Sequence, residues 1–419
     1  MTTRSGQWLR LVAVAGMAVV ASLAVVAGAG AVASPAAPQG SGGWVGTWAT
    51  GDQPLDHAPI PAGFTLISFS NVTLRQIVHV SVGGGSARVR LDNTYGDGPL
   101  TFADAHVGLA AANGAVQAGT DRALTFGGSP SVTVARGAEA FSDPVRLNVP
   151  AQADLAVSLF LPGSSAMVTG HHDAKQGSFV STAGDHAGDL SGSAFGTSIF
   201  DWYWLNGVDV FSPSARGAIV AIGDSITNGA VSTFNGNNRW PDFLARRLLA
   251  APANERRSVL NEGIDGAQLL TFRTDCCPTQ EAGLAVLDRD VIAQTGVTHV
   301  IVLLGTNDLG FGVQASAIIA GLKQLAAQAH AKGLAVVAGT VTPFHGFFDD
   351  PAKDAQRDAV NQFIRSSRVF DGFVDFDAAT RDPANPESFL PAFNSGDGLH
   401  PNDAGDQAMA NAIDLRLFR

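Results

Sequence analysis

The chain has 419 residues, of which 46% are hydrophobic and 15% charged, a composition of packed cores rather than disorder. Its 37 acidic residues against 26 basic ones leave a formal charge of −11, which argues against nucleic acid or an anionic membrane surface as a partner. With no C-x-x-C and no H-E-x-x-H, no common zinc-ligand spacing is present, and neither a metal nor a cofactor is expected.

At the start, Arg4 and Arg10 bracket the approach to an uncharged, mostly apolar stretch from Leu11 to about Ala27. Ala31-Val32-Ala33 then offers an A-x-A cleavage site before Ser34. Residues 1–33 therefore read as a signal peptide, and the mature protein as secreted, with no stable membrane insertion after cleavage. A retained signal anchor is the alternative, because the stretch approaches spanning length. Residues 34–43, which begin Ser34-Pro35-Ala36-Ala37-Pro38, read as a flexible mature N-terminus. The ~385 residues that remain exceed one typical domain, so two are expected.

Residues 44–214 read as all-β. Arg75 to Val82, Ala87 to Leu91, Ser131 to Val134, Val145 to Val149 and Leu155 to Leu161 are short strand-like runs, several alternating apolar and polar residues. Turn residues such as Gly83-Gly84-Gly85 and Gly127-Gly128-Ser129-Pro130 separate them. Many short strands with frequent turns predict a β-sandwich of jelly-roll type as an accessory domain. Trp202, Tyr203 and Trp204 offer stacking surfaces for sugars, or else belong to its core.

The period changes after Ser212-Pro213-Ser214. In residues 215–419, strand-like runs at 218–222, 257–260, 298–304, 334–339 and 372–376 alternate with helical patterns. The helices fall near 240–250, 281–294, 314–332, 352–368 and 402–417. This alternation predicts an α/β domain of flavodoxin-like, three-layer α/β/α type with a parallel sheet. Ligands in such sheets bind beyond the carboxyl ends of the strands.

Four motifs sit in this half. Gly223-Asp224-Ser225-Ile226 follows the first strand, and Asn261-Glu262-Gly263-Ile264-Asp265-Gly266 follows the second. Gly305-Thr306-Asn307-Asp308 follows the third, and Asp397-Gly398-Leu399-His400-Pro401 precedes the last helix. Each has a plain structural reading: Gly266 as a turn glycine, Asn307 as a helix cap, and Asp397 to His400 as the run-up to a helix capped by Asn402 or Asp403. Together they supply a serine nucleophile, oxyanion donors, and a histidine base with a carboxylate three residues before it. Asp224 and Asp308 are expected to organise their own loops. Thr227 stands where a G-x-S-x-G elbow needs its second glycine, which argues against the α/β-hydrolase fold.

These blocks resemble the SGNH (GDSL-type) hydrolase superfamily over roughly residues 217–417, with Ile226 where the family name has leucine. The resemblance implies Ser225 as nucleophile, His400 as base and Asp397 as its acid. It implies Gly266 and Asn307 as oxyanion donors beside the backbone N–H of Ser225. Arg239-Trp240-Pro241 and Val341-Thr342-Pro343-Phe344 are similar to strings in exported acyl- and arylesterases associated with xylan degradation.

The adjacent Cys276 and Cys277 are the chain's two cysteines. In an oxidising compartment they form either a strained vicinal disulfide or two free thiols. His171-His172 reads as a solvated loop pair rather than a metal site. The expectation is thus a secreted serine esterase whose partner is an ester substrate, with acetylated plant polysaccharide or short-chain acyl esters foremost. A broad arylesterase or lipase is the alternative. A glycan-binding protein with an inert hydrolase-like domain is the alternative of another class.

Overall fold

The computed structural model describes residues 43–55, 69–163, 168–252, 255–272 and 281–419. The expectations for residues 1–33, for nearly all of 34–43, and for Cys276 and Cys277 lie outside the described residues. Among those described, no helix is long and apolar enough to cross a membrane.

The N-terminal half consists mostly of strands in antiparallel sheets. In the larger sheet, Asp154–Leu161 pairs with Val72–His79 on one side and Asp104–Leu109 on the other. Leu74, Val78, Leu155, Val157 and Leu159 all turn into one apolar cluster, as period-two alternation requires. In a second sheet, Leu205–Phe211 lies between Trp44–Ala49 and Gly84–Asp92. Trp202, Tyr203 and Trp204 are core residues, with Trp48 edge-on to Trp202 at 4.9 Å, so they offer no stacking surface. His171 is likewise buried, on the short strand Thr169–His171, which corrects the solvated reading of the His171-His172 pair.

The C-terminal half is a five-stranded parallel sheet in the order Ser258–Gly263, Ala218–Gly223, Val297–Leu303, Ala335–Gly339, Gly372–Val374. The first strand in the chain lies inside the sheet, so its neighbours leave in opposite directions and open a crevice at their carboxyl ends. Side chains alternate between the two faces. Ile219, Ala221, Ile301 and Leu303 pack with Leu244 and Leu248 of helix Trp240–Ala250 and Met409 of helix Asp403–Ala412. Val220, Ile222, Val300 and Val302 share the other cluster with Ile318 and Leu322 of helix Ala315–Ala331.

That second cluster does not stop at residue 214. Val45 and Trp48 join it from the N-terminal half, and the described residues form one compact unit. Strand Trp44–Ala49 lies so close to the sheet that a Cβ at Gly46 would stand 3.0 Å from Leu260. Polar groups stitch the same seam: Gly46 N donates to Thr295 O at 2.9 Å, Val259 N to Ser81 Oγ at 3.2 Å, and Arg90 to Gln294 Oε1 at 2.9 Å.

A chain beginning at residue 215 would expose the apolar face that Val45 and Trp48 cover. It is expected to lack a cooperative thermal transition, whereas residues 34–419 should melt in a single one. Calorimetry on both decides this, and two separable transitions in the longer chain would show independent halves.

Candidate active site

Ser225 opens a single helical turn, Ser225–Asn228, at the carboxyl end of strand Ala218–Gly223. The turn starts there because the Asp224 side chain accepts from Ile226 N at 3.0 Å, and it ends at Gly229 in the left-handed region. It sits tightly on the sheet because two strands end in glycine. A Cβ at Gly223 would lie 2.0 Å from Thr227 Oγ1, and one at Gly263 would lie 2.2 Å from Asn228 N. As the first residue of the turn, Ser225 has a backbone N–H with no intrahelical acceptor.

His400 reaches Ser225 from the far end of the sequence, with Nε2 2.8 Å from Oγ. Its Nδ1 is 2.6 Å from Asp397 Oδ2. A carboxylate only accepts, so Nδ1 carries the proton and Nε2 presents a lone pair to the serine hydroxyl. Partial burial works against ionising Asp397. The backbone and ring N–H of His400 and the Leu399 amide outweigh it and lower the carboxyl to about 2. Asn394 builds the loop, its side chain accepting from Gly396 N at 2.8 Å and Gly398 N at 3.1 Å. Asn402 caps the following helix, so the cap and the His400–Asp397 contact coexist.

Asn307 is not a cap. Its short helix Thr306–Gly310 is preceded by Gly305, and its Nδ2 donates to Ala267 O at 3.0 Å, leaving a second N–H on the same nitrogen. Asp308 also organises a neighbouring loop, accepting from Leu269 N at 2.7 Å and Leu270 N at 3.2 Å. The loops after the second and third strands are thereby tied together, and Gly266, at φ 74°, lies in the turn that Asn307 holds. Sequence reasoning singled out Ser225, Asp397, His400, Gly266 and Asn307, and the fold brings Ser225, His400 and Asp397 into one hydrogen-bonded chain. Such a chain can draw a proton from a serine hydroxyl and return it to a leaving group. Among the described residues, no group of three or more His, Cys, Asp or Glu side chains could hold a metal ion.

A second network went unread in the sequence. His171 Nδ1 meets Gly51 O at 2.8 Å, and Nε2 meets Asn228 Oδ1 at 3.0 Å. Asn228 in turn donates to Asp265 Oδ1 at 2.8 Å. The N-terminal half therefore grips the last residue of the Ser225 turn and the residue before Gly266. Burial lowers the His171 imidazole and raises the Asp265 carboxyl. Two histidines in a row gave the only signal, and nothing in the sequence assigned them this contact.

Residues 221–408 match the GDSL-like Lipase/Acylhydrolase family. Among solved structures, the chain is similar to a G-D-S-L family protein from Desulfitobacterium hafniense at 20% identity and a TM-score of 0.37, over 48% of this chain and 99% of that one. It is also similar to Axe2, an acetylxylan esterase from Geobacillus stearothermophilus, at 23% identity and a TM-score of 0.37, over 49% of this chain and 94% of that one. A GDSL-like lipase from Bacteroides thetaiotaomicron is similar at 20% identity and a TM-score of 0.36, over 48% of this chain and 88% of that one. No curated protein matches the chain significantly.

Burial dominates at Asp224 and, against the Ile226 amide and Thr306 hydroxyl, pushes its carboxyl from 3.8 up to about 7. The folded state then holds a proton that the unfolded state releases, so the group's contribution to stability is full below pH 4 and declines as pH rises toward 7. Asp224→Asn keeps the capping oxygen and has no proton to lose. Its melting temperature relative to wild type should rise between pH 4 and pH 8, and a flat difference across that range would contradict the assignment.

Proposed function

Residues 221–408 belong to the GDSL-like lipase/acylhydrolase family, and from that premise we propose that this ester hydrolase is an exported serine esterase working through an acyl-enzyme. The observation that carries the reading is the 2.8 Å approach of His400 Nε2 to Ser225 Oγ, with Asp397 on the other ring nitrogen. His400 takes the hydroxyl proton as Ser225 Oγ attacks the ester carbonyl, and the imidazolium is stabilised by Asp397. The oxyanion is met by the backbone N–H groups of Ser225 and Gly266 and the second N–H of Asn307 Nδ2. His400 passes its proton to the departing alcohol oxygen. It then deprotonates a water that attacks the acyl carbon, and returns that proton to Ser225 Oγ as the carboxylic acid leaves.

Acetyl groups on plant polysaccharide are the proposed substrate, on the resemblance of Arg239-Trp240-Pro241 and Val341-Thr342-Pro343-Phe344 and on the signal-like residues 1–33. The second reading is short acyl or aryl esters in general. A panel of p-nitrophenyl esters from acetate to palmitate, run beside acetylated xylan with acetate release measured, separates the two.

Ser225→Ala should remove turnover by several orders of magnitude without lowering the melting temperature, and retention of about a tenth of the activity would overturn the assignment. Asn307→Ala should lower kcat by roughly 10²–10³ with little change in KM, because the donor acts mainly on the charge developed in the transition state. Normal kcat with a lowered melting point would reduce Asn307 to its bond with Ala267. Turnover should be unaffected by EDTA, and a chelator-sensitive rate would call for a metal in the mechanism.

A further inference from the structure

Large apolar side chains exposed beside a polar reaction centre need a reason, and Phe347 is one, with about half of its surface open to solvent. Its ring centroid lies 6.5 Å from that of His400, at an interplanar angle of 77°. This placement is built. Gly346 and Gly398 both adopt positive φ, and a Cβ at Gly398 would stand 2.9 Å from Gly346 C, so only glycines let the two loops touch. The neighbouring Phe348 is the anchor. It packs edge-on to Phe344 at 5.5 Å and occupies the space over Gly310, where a Cβ would lie 2.2 Å from its ring. Phe347 stands edge-on to Phe348 at 5.0 Å, so the anchor holds the exposed ring against His400.

The reaction tells which part of the ester such a ring meets. The acyl carbon is held between Ser225 Oγ and the oxyanion donors. The leaving oxygen must lie against His400, which protonates it. A group bordering His400 therefore touches the alcohol and not the acyl chain. We infer that Phe347 is a platform for the alcohol half of the substrate, recognising an alcohol with a flat apolar face, either an aryl ring or the C–H face of a pyranose. The inference rests on the serine-esterase reading above. It assigns alcohol specificity to the Gly346-Phe347 loop, whereas the buried Trp202, Tyr203 and Trp204 carry none.

The test compares acetate esters that share an acyl group and differ in alcohol. In Phe347→Ala, the ratio of kcat/KM for phenyl acetate to that for methyl acetate should fall by roughly tenfold, the scale of a lost aromatic contact. Acetylated methyl xyloside is the third arm. A parallel fall there assigns the platform to sugars as well, and a fall for phenyl acetate alone assigns it to aryl alcohols. Phe347→Trp should restore the ratio and Phe347→Leu should not, which keeps the test alive if the alanine variant folds poorly. The loss should appear in the acylation burst and not in deacylation, since the alcohol has already left. An equal loss on phenyl and methyl acetate, or slowed deacylation, would overturn the platform. Activity surviving in Ser225→Ala would instead overturn the underlying esterase reading.

Discussion

A hydrogen bond of 2.8 Å joins Ser225 to a residue 175 positions away, and the rest of the structure is arranged around keeping that distance. Neither end is free to drift. The Ser225 turn is pressed onto the sheet by Gly223 and Gly263 and capped by Asp224. The His400 loop is fixed by Asn394 from within, by the Asn402 helix cap from behind, and by Gly346 from the side. Asp403, just past His400, also accepts from Thr233 N and Asn238 Nδ2, each at 2.8 Å, which ties the chain after the Ser225 turn to the histidine loop. Proton transfer across a hydrogen bond tolerates little misplacement, so rigidity on both sides is the physical requirement.

The N-terminal half contributes to that rigidity. Through His171 it holds Asn228, the last residue of the turn, and through Asn228 it holds Asp265, one residue before Gly266. It also supplies part of the apolar cover of the parallel sheet through Val45 and Trp48. Buried polar contacts of this kind are unforgiving, because each unpaired group left behind by a substitution has no water to turn to.

Much of the parallel half was legible because its periods are clean. The helix expected at 240–250 is Trp240–Ala250, and the strand expected at 218–222 is Ala218–Gly223, an all-apolar run of the kind that a sheet covered on both faces demands. The region 281–294 was less so. It begins as helix Gly283–Val286 and widens to a π-turn over Leu287–Ile292, which a 3.6-residue pattern does not distinguish. In the N-terminal half, Trp44–Ala49 and Leu205–Phe211 are buried on both faces, so the alternation that marks a half-exposed strand is missing. Ser225, Gly266 and Asn307 stood out in the sequence because each follows a strand at a short spacing, and Asp397 and His400 because they lie three residues apart just before the last helix. His171 and Phe347 were not, since a buried imidazole and a solvent-facing ring are defined by what the chain brings near them, and local sequence does not encode that.

The apolar cluster that runs unbroken from Val45 to Leu399 limits how this protein can be recombined. Grafting the N-terminal half onto another hydrolase, or replacing it with a different module, would require redesigning the face of the parallel sheet that it covers. Insertions at the seam carry the same burden, because Gly46 leaves no slack against Leu260. Natural variation at this seam should therefore come as coordinated pairs of substitutions.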